Sequence, residues 1–247
     1  MKQNVLTPDK KKEGAGAEVR RLFPSSSLTH VDPFVLLDEF FVEADSGFPM
    51  HRHAGFEAIT YILGGGFRHK DDMGNDSVVG EGGVQKFTAG SGIEHSEMPA
   101  GEKGAHGFQL WLNLPKNKKD MKPNYQKVKA DKIPQAEDGK TIIKTIVGED
   151  SPVELETNIK YQDVALEKDC FTSIDFSEKH RGFLYVYQGE ISLKEENGTK
   201  TSIAKGQGYL PDGTLRFSIG CAEDSRFIVV SGEPIGEEIK LEGSIVR

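Results

Sequence analysis

From Val31 onward the chain is written in short apolar runs closed by glycine, and this punctuation restricts the fold more than any other feature. The runs cover residues 34–37, 58–63, 78–79, 108–114, 142–147, 183–187, 191–193 and 227–230. A helix needs about ten residues or more of helical periodicity, whereas these runs have strand length and strand spacing. The 28 glycines supply the turns between them. The pattern predicts an all-β sandwich or barrel with short helices or turns.

One stretch recurs. Gly55-Phe56 opens an apolar run, turns near Gly74-Asn75 and proceeds to Gly82-Gly83 and Gly90. Gly182-Phe183 does the same, turning at Asn197-Gly198, a dipeptide suited to a type I′ hairpin, before Gly206, Gly208 and Gly213. Two tandem copies of one barrel follow. The polar, proline-bearing stretch from Pro115 to Lys140 reads as their connection. Residues 1–17, polar and carrying Lys10, Lys11 and Lys12, read as a flexible N-terminal segment. The expected domains are therefore 18–130 and 131–247.

Charge and composition narrow the partners. A formal net charge of -8 gives no positive field for phosphate backbones or anionic lipid, so direct nucleic-acid and membrane partners are not expected. No run approaches the roughly eighteen apolar residues of a membrane-spanning helix, and no signal-like stretch opens the chain. The reading is a cytoplasmic protein, or a nuclear one in a eukaryote. Cys170 and Cys221 are too few for a disulfide framework and read as free thiols.

Against this background His51-Arg52-His53 stands out. Residues two apart in a strand face one side, so both imidazoles can point inward, and Glu57 shares their parity unless Ala54-Gly55 bulges the strand. His95-Ser96-Glu97 repeats the spacing after a glycine-rich turn. Five candidate ligands thus converge if the strands are neighbours. Three imidazoles with a carboxylate suit a single borderline transition ion such as iron(II), nickel, manganese, zinc or copper(II). Four protein ligands would leave open coordination positions. A lone His-x-His is common on surfaces; the second, parity-matched pair is what favours a metal.

These residues carry a resemblance. The stretch Gly47-Phe48-Pro49-Met50-His51-Arg52-His53-Ala54-Gly55-Phe56-Glu57, followed by Thr88-Ala89-Gly90-Ser91-Gly92-Ile93-Glu94-His95-Ser96-Glu97-Met98-Pro99, resembles the pirin family of the cupin superfamily. Asp32-Pro33-Phe34 and His106-Gly107-Phe108-Gln109-Leu110-Trp111 extend the likeness, which is strong over about 18–126 and weaker to Gly232-Glu233-Pro234. The resemblance implies a bicupin with metal only in the N-terminal barrel, held by His51, His53, His95 and Glu97. Iron(II) is the first expectation, with nickel, copper, manganese, cobalt or zinc as alternatives. Glu57 then becomes an outer group orienting a ligand imidazole.

The resemblance also implies an activity: quercetin (flavonol) 2,3-dioxygenation with dioxygen, with Glu97 or Glu57 as the general base. The alternative is a metal- and redox-dependent cofactor that binds a protein partner without turnover. Phe48, Phe56 and Phe87 are candidates for the cavity wall, and Trp111 is expected to pack in the core. His30, His69 and His180 are read as structural or solvated. Three departures stand out: Lys86 replaces an aromatic, Ala54 replaces arginine, and residues 235–247 form a short charged end in place of a strap that closes over the barrels.

Overall fold

The computed structural model describes residues 4–213 and 216–247, and among these the chain is almost entirely β. Only two single-turn 3-10 helices occur among the described residues, Lys116–Lys118 and Ala130–Lys132. No helix in the described residues is long and apolar enough to cross a membrane. The chain divides into two compact units, residues 1–8, 134–151 and 158–234 in one, and 9–133, 152–157 and 235–247 in the other.

The N-terminal unit is built on a sheet in which the strands Asn124–Val128, Val84–Thr88, Phe56–Asp71, Ala105–Asn113, Phe34–Val42, Ala17–Phe23 and Asp9–Glu13 are successive neighbours. The strand Phe56–Asp71 is long enough to serve two layers. Its first half pairs with Val84–Thr88 and Ala105–Asn113, and its second half with Asp76–Gly80 and Ile93–Pro99. Phe48–His53 completes the second layer by pairing with Ile93–Pro99. The layers enclose apolar side chains including Leu36, Phe56, Phe87 and Ile93.

The C-terminal unit repeats the plan. Ile159–Leu166, Ser225–Gly232, Arg181–Gln188 and Gln207–Tyr209 form one layer, and Phe171–Asp175, Arg216–Cys221, Glu190–Glu195 and Lys200–Ala204 the other. The Asn197-Gly198 turn joins Glu190–Glu195 to Lys200–Ala204 as the expected hairpin, but of that pair only Gly198 has positive φ (+86°), so the turn is not the type I′ expected, which needs it at both central residues.

Two expected boundaries are corrected. Residues 1–17 were expected to be loose; residues 1–3 lie outside the described residues, but Val5–Leu6 pairs with Gln207–Tyr209 and Asp9–Glu13 pairs with Ala17–Phe23. Burial alternates along Asp9–Glu13 between half-buried and exposed positions, but all five residues are polar, so composition alone hides the strand, and its lysines discourage a further strand from adding. Residues 235–247, placed in the C-terminal barrel on sequence, belong to the N-terminal unit.

Candidate metal centre

The strand register brings the two histidine motifs together. His51 lies opposite His95 across the Phe48–His53 and Ile93–Pro99 pair. Burial alternates along 93–97, with Ile93, His95 and Glu97 buried and Glu94 exposed, as inward and outward positions of a strand require. Donor atoms of His51, His53 and His95 lie within 4.8 Å of one another.

Their hydrogen bonds prepare them as ligands. The Nδ1 atoms of His51 and His53 meet the carbonyl oxygens of Pro49 (2.7 Å) and Ser244 (3.1 Å). A carbonyl only accepts, so each ring donates from Nδ1 and, when neutral, leaves a bare lone pair on Nε2. Those two Nε2 atoms face each other at 2.8 Å. His95 Nε2 is buried and has no hydrogen-bond partner. Opposed lone pairs and an orphaned nitrogen are costly by themselves and are what a metal ion relieves. Burial, reinforced by His51, holds His53 down to about 3, and burial with the neighbouring imidazoles holds His95 well below its usual range. Both rings are neutral at physiological pH, as metal ligation requires.

Glu97 lies on the same strand face but is held by three donors. Thr60 Oγ1 (3.1 Å) and Gln85 Nε2 (2.5 Å) donate to Oε1, and Gln109 Nε2 (2.9 Å) donates to Oε2. A second group of neighbouring donor atoms links Glu97 and His95 with His69. His69 was read as structural or solvated, yet it is fully buried. It stacks on Tyr125 with centroids 4.1 Å apart, meets His95 Nδ1 through its own Nδ1 at 3.3 Å, and reaches Asp71 Oδ2 through Nε2 at 3.0 Å. Sequence offered one usable signal: His69-Lys70-Asp71 has the same two-residue spacing, and the register sets His69 against Glu97 and Asp71 against His95.

Glu57 was expected to face the site, and here the structure corrects the reading. The chain turns at Ala54-Gly55, with Gly55 at φ +80°, and the strand that follows has the opposite phase. Ala58 and Thr60 point to the interior, so Glu57 lies on the other face of the sheet. There it accepts from Thr88 Oγ1 (2.8 Å) and the backbone N–H groups of Glu156 (3.0 Å) and Thr157 (3.2 Å), with Lys86 Nζ at 3.8 Å. Lys86, the residue in the place of an aromatic, is therefore the buried partner of Glu57.

A cavity of about 700 Å³ opens on His51, His53 and Glu97. Trp111 is buried in the core as expected, among Leu36, Phe56 and Phe87, and it also lines the cavity, with its indole stacked on Phe56 at 4.1 Å and its Nε1 donating to Gln109 Oε1 at 3.0 Å. Phe48 also lines it, whereas Phe56 and Phe87 pack behind against His53. The C-terminal residues contribute as well, correcting the charged-end reading. Leu241–Glu242 pairs with Ile245–Val246, Val246 N–H donates to Ala54 O at 3.0 Å, and Leu241, Gly243 and Ser244 reach the cavity. Val246 is buried and Lys119 Nζ ties its carbonyl (3.2 Å) to that of Gly55 (2.9 Å). The apolar 245–246 pair anchors this strap.

Known proteins resemble this chain. Residues 16–112 match the Pirin family and residues 161–247 the Pirin C-terminal cupin domain. Pirin-like protein 2 of Arabidopsis thaliana is 37% identical over 244 residues, covering 95% of this chain and 76% of that protein. A solved quercetin 2,3-dioxygenase of Acinetobacter baumannii superposes with a TM-score of 0.87 at 26% identity, over 99% of this chain and 90% of that one. The bacterial pirin YhhW of Escherichia coli, solved in complex with nickel(II), shares the fold at a TM-score of 0.75 and 21% identity, covering 94% and 99%.

Proposed function

The chain belongs to the pirin family, a pair of tandem cupin barrels, and from that premise we propose that it is a quercetin 2,3-dioxygenase using dioxygen at one metal ion in its N-terminal barrel. The observation that carries this reading is the convergence of His51, His53 and His95 with a bare, buried Nε2, in a chain similar to a quercetin 2,3-dioxygenase. Their Nε2 atoms, with the Glu97 carboxylate, are the donors proposed to hold a divalent transition ion, iron(II) foremost. When bound, such an ion supplies Lewis acidity that favours the ionised form of a flavonol hydroxyl.

The protein's own groups supply the rest. Pro49 O and Ser244 O fix the tautomers of His51 and His53, and His69 with Asp71 does the same for His95. Thr60, Gln85 and Gln109 orient Glu97, and in this reading its carboxylate takes the substrate's hydroxyl proton. Trp111, Leu36 and Leu241 give the cavity apolar walls that exclude water from the reacting ring.

The test is to quantify metal in the purified protein, then follow quercetin absorbance and carbon monoxide release under oxygen. Turnover that disappears in His51→Ala and His95→Ala is expected. Absence of turnover with iron, copper, nickel, cobalt and manganese each restored overturns the reading.

A further inference from the structure

The floor of the N-terminal barrel carries a row of polar side chains, of which the metal centre uses only part. Register sets Arg21 opposite Asp38, Asp38 opposite Gln109, Gln109 opposite Thr60, and Thr60 opposite Gln85. The adjacent row, with Leu36, Trp111, Ala58 and Phe87 as successive partners, is apolar. One end of the polar row holds Glu97. At the other end Arg21 donates to both oxygens of Asp38, from Nε at 2.8 Å and Nη2 at 2.7 Å, and its Nη1 lies 3.0 Å from Glu13 Oε1. Both ends open on the one cavity that His51 and His53 line.

Stability does not account for the Arg21–Asp38 pair. The attraction within a buried ion pair seldom exceeds the cost of desolvating both partners, and apolar residues of similar volume commonly serve a fold as well. Asp38 is 6% exposed, deep in the wall. The bidentate contact fixes the Asp38 carboxyl in one orientation, and the same guanidinium also holds Glu13. Each carboxylate oxygen has two lone pairs and the arginine occupies one on each Asp38 oxygen, leaving acceptors turned to the cavity. Such a wall offers acceptors to a hydrogen-bond donor.

We propose that Asp38 and Glu13, clamped by Arg21, form a second recognition site for the substrate, reading a hydroxyl on the edge of the ring system remote from its metal-facing oxygen. The ligand is thereby defined as a polyhydroxylated aromatic. The proposal rests on the flavonol reading above and makes it more specific. A cavity of about 700 Å³ suits a molecule of that size.

Trp111, the chain's single tryptophan, sits in the cavity wall, so its fluorescence reports occupancy directly. The nickel-loaded protein, kept under argon to prevent turnover, is titrated with quercetin and with 3-hydroxyflavone, which keeps the metal-facing hydroxyl and lacks the others. Quercetin is expected to bind about tenfold more tightly. The double variant Arg21→Met/Asp38→Leu exchanges the buried pair for apolar volume, a swap that folds tolerate, and brings the ratio of affinities to about one. Glu13→Gln, on a partly exposed strand where folding is not at stake, lowers the ratio about threefold. A ratio near one in the natural chain, or a ratio kept through both variants, overturns the second site and leaves the flavonol reading standing. Failure of either flavonol to quench Trp111 overturns that reading itself.

Discussion

The two barrels share a strand plan and differ in what they place inside it. In each, a two-stranded pair borders the distal hairpin: Phe48–His53 with Ile93–Pro99 in the first, Phe171–Asp175 with Arg216–Cys221 in the second. The first sets His51 against His95. The second sets Thr172 against Ile219 and Ile174 against Phe217. Leu184, Leu193, Ile203, Phe217, Ile219 and Phe227 fill its interior, each buried to within a per cent of completely. The plan therefore stands without a ligand cage, and the polar groups of the first barrel, expensive to bury, are there for another purpose.

That contrast can be broken or sharpened by experiment. The largest expected effect is on metal content: His95→Ala should empty the N-terminal barrel, weakening metal affinity by more than about 100-fold, since even outer partners of a ligand are worth about 10- to 100-fold. His180→Ala, in the other barrel, should leave the metal in place; elemental analysis compares the two. Next, Phe217→Ala should cost the C-terminal barrel about 3–5 kcal/mol through a cavity in its filled interior, measured by denaturant titration, with no loss of metal from the N-terminal barrel. Metal loss in this variant would show that the barrels are not independent in function. Third, Glu57→Gln should destabilise the protein by about 3 kcal/mol by removing the carboxylate beside buried Lys86, which keeps only its neutral acceptors on Thr88 and Asn124, while metal content stays at the natural level. A loss of metal with stability unchanged would return Glu57 to the site. The smallest expected effect is that of His69→Leu, a decrease in metal affinity of about 10- to 100-fold in chelator competition. Because His69 and Asp71 orient only His95, the ion should also show an altered spectroscopic signature, and His69→Gln, which retains a hydrogen bond to His95, should recover part of both.

How much of this was legible in the chain follows from what each kind of pattern encodes. Apolar runs separated by glycine reveal strands with a buried face, so both barrels and the Asn197-Gly198 hairpin could be read directly. The His51, His53, His95 and Glu97 spacing was legible because strand parity carries over a few residues. Parity failed at Glu57 because Gly55 reverses the phase, and a reversal of one residue moves every later side chain to the opposite face. His69 escaped because its neighbours Arg68 and Lys70 are charged and point outward, hiding an inward imidazole between them. The edge strand Asp9–Glu13 is the wholly polar arm of a local hairpin, with no apolar alternation to reveal it, and the 241–246 strap is anchored at Ala54, a contact distant in sequence that no local pattern reports.

The Ser244 carbonyl that holds His53 comes from a residue 191 positions later in the chain. During synthesis the N-terminal sheet can form as soon as it leaves the ribosome, yet its pocket acquires the 241–246 strap only after the whole second barrel has been translated. A product truncated within the second barrel would carry the three histidines without the carbonyl that sets the His53 tautomer.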